Sequence, residues 1–496
     1  MTEAALNTTK KALALNLDPL KYGTVVEIGA GQEVARWFFR AGATAGTIAK
    51  TMSAYDMKFS DEIYGPEPSG RYVSRARLER MLAQEFDLLL SRLGEHRPEQ
   101  STYFAFANTV ATMGYRQRAE SHGWVGIRLQ GAPGKEPDEI LLHVRMLDDS
   151  NVEQQEALGI LGVNLIYGAF FLAGEPQALL RSLTDDLKWG RIEIDFIEFR
   201  GPRLGAVDNR LMDLELVKAS VAQAVLFDPQ GRPVVPADAL HGRDVVTMRG
   251  EFRPVLTADM AVLDGALARF AAGPAAGDPG SGNSAPIRLA ELTMARPAGV
   301  GTGPATGAIA GPNAGAIDTR EFLDRVRMLS ALGFHVLVSE YFRAFRVRQF
   351  LARYTKGAVA FVTDTQGFAD LIREDYYDGL AGGMLEALGK LFTPAATVYV
   401  HPVIGGGAGD GRADGGGPAP TLDSLAVDAP LRPLVTYLRQ RGQVAPLDDT
   451  DPALLATDRA RVLADLREGG DRWRDAVPAA ARKAIEAGGL LGHGGA

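Results

Sequence analysis

The chain has 496 residues, more than one ordinary hydrophobic core organises, so two or three domains are expected. With 46% apolar and 23% charged residues it can bury large cores and is not globally disordered, and the absence of cysteine excludes disulfides, thiolate catalysis and Cys-based zinc sites. The formal net charge is −8, with lysines and arginines dispersed rather than clustered, which argues against a nucleic-acid partner.

The chain opens with Glu3 ahead of Lys10 and Lys11 and has no apolar segment of secretory length there, so a cytoplasmic protein is expected. The first strong pattern is the β-branched run from Thr24 to Ile28, the turn Gly29-Ala30-Gly31, and Val34, Trp37, Phe38 and Ala41 at helical spacing. This reads as strand, tight turn and helix. Glycines let backbone approach a ligand, and a helix N-terminus favours anions, so Glu27, Gly29 and Gly31 are candidate ligand-binding residues for a nucleotide or phosphate. Gly29-x-Gly31-x-x-Val34 lacks the third small residue of the dinucleotide fingerprint, and a plain buried strand-turn-helix is the alternative. Lys50 is a candidate to neutralise phosphate charge, and Asp56 to contact ribose or base.

A long helix is expected over Arg75 to Leu93, then strands at Thr102–Ala107, Trp124–Gln130 and Ile140–Met146, the last two a hairpin. If they pair, His122, Arg145 and Asp148 converge at one sheet end, with His122 as acid/base group and Arg145 as phosphate clamp; a structural histidine is the alternative. Ser150-Asn-Val-Glu153 is a capping box that launches an apolar helix through Leu172. Its apolar part, interrupted by Asn164, is about 15 residues, short of the roughly 20 that span a bilayer, so no membrane association is expected. Arg191 to Phe199 alternates as a strand, placing Glu193 and Asp195 on one face, either as two oxygen donors for Mg²⁺ or as a solvated face. A helix over Met260 to Phe270 closes this α+β block, taken as residues 1–271.

Residues 272–285, 296–316 and 405–420 are rich in Gly, Ala and Pro and read as flexible surface loops. Between them, residues 286–404 alternate strand and helix: Leu289–Met294, Glu321–Leu332, His335–Glu340, Phe345–Tyr354, Ala358–Thr363, helix within Gly367 to Phe392, and Thr397–His401. Such alternation argues for a parallel sheet with ligands at the carboxyl ends of its strands, where Glu340, Arg343 and Arg346 are candidate ligand-binding residues. Residues 421–496 read as a helical tail. The fold class is therefore multidomain, mixed α/β and α+β.

No Gly-x-Ser-x-Gly, His-Glu-x-x-His or Gly-Lys-Ser/Thr phosphate loop is present, nor the His-x-Gly-His of nucleotidyltransferases. Tyr22 to Arg40 with Gly46 to Asp56, Asn151 to Phe171, and Gly382 to Phe392 resemble a family of bacterial proteins of this length. Its members are labelled either nicotinate- or nicotinamide-mononucleotide adenylyltransferase or TonB-dependent receptor. The first label implies α/β nucleotide chemistry. The second implies an outer-membrane barrel, whose alternating strands of about ten residues are missing here. The resemblance carries over no functional residue. Together these readings lead to a protein that binds a nucleotide or phosphorylated metabolite, with transferase chemistry near NAD metabolism and Lys50, His122 and Arg145 as catalytic candidates. The alternative is a non-catalytic ligand sensor or homo-oligomeric assembly protein.

Overall fold

The computed structural model describes residues 6–68, 70–114, 120–273, 285–294, 317–405 and 420–494. Most of the three Gly/Ala/Pro-rich stretches lies outside these residues. The chain divides after Gln223 into two units.

The first unit is built on strands β1 (Lys21–Ile28), β2 (Ile48–Ala54), β3 (Thr102–Ala111), β4 (His122–Gln130), β5 (Pro137–Met146) and β6 (Ile192–Arg200). They form one mixed sheet in the order β2-β1-β3-β4-β5-β6, parallel across the first three and antiparallel from β3 onward. Its helices are α1 (Thr8–Asn16), α2 (Glu33–Ala41), α3 (Met57–Tyr64), α4 (Arg75–Leu93), α5 (Asn151–Phe171), α6 (Pro176–Ser182) and α7 (Asn209–Lys218). Central strands buried on both faces need apolar residues at consecutive positions, which explains the unbroken run in β3. Tyr103 and Ala105 pack with Phe86 and Leu89 of α4, whereas Phe104 meets Phe170 of α5 edge to face, ring centroids 5.5 Å apart.

Helix α5 starts as expected, with Ser150 Oγ accepting the Glu153 amide at 3.2 Å. It lies hard against α2, because a Cβ on Gly162 would sit 2.4 Å from Val34 Cγ2. Among the described residues, no helix is long and apolar enough to cross a membrane.

The second unit begins earlier than residue 286. Strands β7 (Ala224–Phe227), β8 (Pro233–Val234) and β9 (Val245–Arg249), with helices α8 (Pro236–Leu240) and α9 (Thr257–Ala272), belong to it. The boundary near 271 is corrected for this reason: composition marks a loop, but sheet pairing defines the unit. Next come β10 (Ile287–Thr293), α10 (Thr319–Ser330), β11 (His335–Ser339), α11 (Ala344–Tyr354), β12 (Val359–Asp364), α12 (Thr365–Leu371), α13 (Gly383–Leu391) and β13 (Ala396–His401). The tail is not wholly helical. It holds α14 (Arg432–Gln440), the edge strand β14 (Val444–Pro446), and short helices α15 (Pro452–Leu455), α16 (Arg459–Arg467), α17 (Trp473–Ala476) and α18 (Ala479–Gly488).

The eight-stranded sheet runs β14-β13-β12-β9-β10-β11-β7-β8. β9 to β14 are mutually parallel, and β7 and β8 close one edge antiparallel. Taken in chain order, the parallel strands lie third, second, first, fourth, fifth, sixth, the doubly wound arrangement. Helices α11 to α14 cover one face through a cluster that includes Phe345, Phe350, Phe368, Leu388 and Leu438. Helices α9 and α10 cover the other, packed on β9, β12 and β11. Arg459 of α16 grips Asp259 of α9 through both carboxylate oxygens, at 2.8 and 3.0 Å, tying the tail to that layer.

Candidate functional site

In the first unit, β1 lies between β2 and β3, so its carboxyl end is where the crossovers leave to opposite sides. Gly29 (φ 92°) and Gly31 (φ 74°) form the turn there. The helix N-terminus behind them is already occupied. Glu27, 1% exposed, sends its Oε1 and Oε2 back to accept the Ala35 and Val34 amides at 3.1 and 3.2 Å. Gln32, the residue at the cap position, makes no side-chain cap bond, so Glu27 does that work. The expected anion seat therefore holds the chain's own carboxylate, and Glu27 supports the turn rather than a ligand.

Burial pushes Glu27 up to about 7 from the usual 4.5, against the lowering effect of its two amide donors. Its stabilising contribution is therefore fully present below pH 4.5 and is lost as pH rises through about 7. The shift corresponds to about 3 kcal/mol. Glu27→Gln should flatten the fall in stability across that window, read from urea unfolding at several pH values; an equal slope in both proteins would count against it.

Lys50 lies opposite Thr24 in mid-strand, not at the strand end, and its ammonium is paired with Glu85 of α4 at 2.5 Å. It is thus neutralised away from the glycine turn. Asp56 caps α3, accepting the Lys58 amide at 2.9 Å.

The same sheet edge gathers the hairpin residues. His122 and Arg145 are register partners, and Arg145 neighbours Glu193. Arg145 donates to Glu193 at 2.5 Å and to Glu120 at 3.1 Å, so it is held by two carboxylates rather than presented as a clamp. Asp148 is drawn off to Arg191 at 2.9 Å. Glu193 and Asp195 are 5% and 3% exposed, which corrects the solvated-face alternative. Glu193 also accepts the Gln223 amide at 2.8 Å, and Asp195 meets His143 Nδ1 at 2.5 Å. Both oxygen donors expected to hold Mg²⁺ are thus engaged by protein groups. No cluster of three or more acidic or histidine side chains arranged for a metal occurs among the described residues.

In the second unit, the crevice between the carboxyl ends of β9 and β12 is the point where the strand order reverses. A cavity of about 200 Å³ opens there beneath α11, α12 and α13. Val347, Phe361, Leu371, Leu391 and Val398 supply apolar wall; Thr247, Arg249, Glu291, Thr363, Asp370 and Tyr376 supply polar groups. Arg249 and Glu291 are direct register partners on β9 and β10 and form a two-pronged ion pair, with Nη2 to Oε1 at 3.1 Å. Ser339 Oγ donates to the same Oε1 at 2.6 Å, and Arg249 also reaches the carbonyls of Tyr341 and Phe342 at 2.8 and 2.6 Å. Burial raises the Asp370 carboxyl above its ordinary range, with Arg373 opposing.

None of the three expected residues of this unit lines the cavity, although Arg343 and Arg346 directly precede the lining residues Ala344 and Val347 in sequence. Glu340 directly follows β11, Arg343 donates to the Asp378 carbonyl at 3.0 Å, and Arg346 lies 5.3 Å from the Phe345 ring centre. Arg249, Glu291, Asp370 and Tyr376 were not anticipated. The available signal was a charge inside a strand that otherwise reads as buried, as with Arg249 after Val245-Val246-Thr247-Met248 and Glu291 within Ile287–Thr293.

No known family and no curated protein matches this chain by sequence. Among solved structures it is similar to the competence/damage-inducible protein CihA from Agrobacterium tumefaciens, at 15% identity over 34% of this chain and 97% of that one, with a TM-score of 0.25. A competence-damaged protein (CinA) superfamily protein from Enterobacter cloacae matches at 15% identity over 34% of this chain and 96% of that one, TM-score 0.26.

Proposed function

We propose that the second unit binds a nucleotide-type small molecule in the crevice between β9 and β12, as part of a transferase acting near NAD metabolism in the cytoplasm. The observation that carries this reading is the cavity at the strand-order reversal of a doubly wound sheet, where such folds hold ligands. A void of roughly 150 Å³ accepts a benzene-sized ring, so this one suits a single ring system such as nicotinamide or a base. In this reading Val347, Phe361 and Leu391 seat the ring. Asp370 and Thr363 serve the ribose hydroxyls, and a phosphate would lie outside the cavity, with Mg²⁺ entering only in its company.

Calorimetry with nicotinamide mononucleotide, adenosine and ATP, with and without Mg²⁺, tests it. Val347→Phe, which fills the cavity, should weaken binding at least roughly tenfold, as overpacking of a ring site does. Absence of binding heat from every probe, or equal affinity in the filled variant, would remove the crevice as the site.

A further inference from the structure

The two edges of the first-unit sheet are finished differently. β6 is sealed by α7, whose Asn209 and Asp213, one turn apart, accept the Phe199 and Ile197 amides at 2.8 and 3.2 Å. Asn209 also donates to the Phe199 carbonyl at 3.1 Å, and the Ile194 amide donates to the Val221 carbonyl at 3.2 Å. A bulge at Asp195, where the β5 register shifts between His143 and Val144, bends this edge further. In the second unit the edges are protected by shortness and proline, β8 being Pro233–Val234 and β14 ending at Pro446.

β2 carries no such seal. Its register with β1 shifts at Ala49 and then runs unbroken from Lys50 to Ala54. It pairs with β1 alone, and among the described residues no group beyond β1 bonds the backbone of that stretch. A lysine ordinarily guards an edge by its charge, but Lys50 is cancelled by Glu85 of α4. The chain leaves β2 directly into Tyr55, Met57 and Phe59, each more than half exposed. An open ladder and bare apolar side chains thus adjoin, the combination that marks a contact surface.

We propose that β2 is a dimerisation edge, pairing antiparallel with β2 of a second copy of this chain about a two-fold axis at Met52. A second copy fits because the strand complements itself. With Met52 on the axis, Lys50 lies opposite Ala54 and Thr51 opposite Ser53, so no like charges meet and a favourable Thr–Ser pair forms twice. Each Lys50 brings its own counter-charge in Glu85. Tyr55 falls opposite Ala49 of the second copy, whose small side chain leaves room for the ring. This contact belongs to the first unit and does not depend on the second-unit crevice.

The test uses the full chain and exploits its lack of cysteine. Light scattering should give twice the chain mass of 53.0 kDa. Met52→Cys should join two chains through a disulfide under oxidised glutathione, because directly opposed residues of an antiparallel pair have Cα atoms about 4.5–5.5 Å apart. Trp189→Cys, at an exposed position away from β2, should cross-link at least about tenfold more slowly and serves as the control. Met52→Lys should weaken the dimer about tenfold or more, since like charges would face each other on the axis, and mixing it with Met52→Glu should restore a heterodimer. A wild type that stays monomeric up to about 100 μM would overturn the proposal. So would a dimer that Met52→Lys leaves unweakened, or cross-linking no faster at Met52→Cys than at Trp189→Cys. Should Met52→Lys fail to fold, the wild-type mass and the cross-linking rates decide alone.

Discussion

Arg249→Ala should destabilise the second unit by about 3–5 kcal/mol, the usual penalty for leaving one member of a buried ion pair alone. Glu291 is 1% exposed, and without the guanidinium its carboxylate keeps, among the described residues, only the Ser339 hydroxyl as a side-chain donor. The loss comes from the stranded charge rather than from the bond itself. Replacing both partners, as Arg249→Met with Glu291→Leu, should therefore recover most of the stability. Urea unfolding followed by a probe in the second unit separates the two outcomes. A double variant as unstable as the single one would mean that the Arg249 contacts to the Tyr341 and Phe342 carbonyls matter more than the pair.

Gly29→Ala and Gly31→Ala should differ sharply although they are two residues apart and both have positive φ. A left-handed backbone costs a non-glycine residue about 1–2 kcal/mol, and Gly31→Ala should show that alone. Its Cβ would find only Gln155 Oε1 and Tyr55 Oη, both at 3.6 Å. At Gly29 the Cβ would lie 2.0 Å from the Val110 carbonyl oxygen, so β1 and β3 would have to part at their ends. Adding an overpacking penalty of roughly 1–3 kcal/mol puts Gly29→Ala at about 2–5 kcal/mol. Equal melting shifts for the two variants would show that the strand ends yield easily. The same measurement also bears on the turn's purpose, since it shows how far Gly29 serves strand packing rather than ligand approach.

The expected ligand residues part company with the structure for one recurring reason. Lys50 and Arg145, charges near a glycine turn or a strand end, each find a partner distant in sequence, Glu85 and Glu193, while Glu27 turns to the nearby Val34 and Ala35 amides of its own strand-turn-helix. Glu193 and Asp195 obey the strand alternation as far as the bulge, but neighbouring strands and α7 cover what a lone strand would expose. A charge's partner across a sheet depends on pairing register, which local spacing does not specify.

By itself the sequence determined the local elements. The β1 turn into α2, the limits of α4 at Arg75 and Leu93, the β4–β5 hairpin, the Ser150 cap and the strand–helix alternation after residue 286 all follow from apolar period, turn residues and side-chain capping. Those signals act within a few residues, so they survive without knowledge of the fold. Only the tertiary structure decided that β7 to β9 belong to the second sheet, that β12 returns beside β9 to open a crevice, and that Arg249 meets Glu291 there while Asp195 meets His143. Each of those outcomes joins segments tens of residues apart, and strand order and burial are settled by how whole layers cover one another.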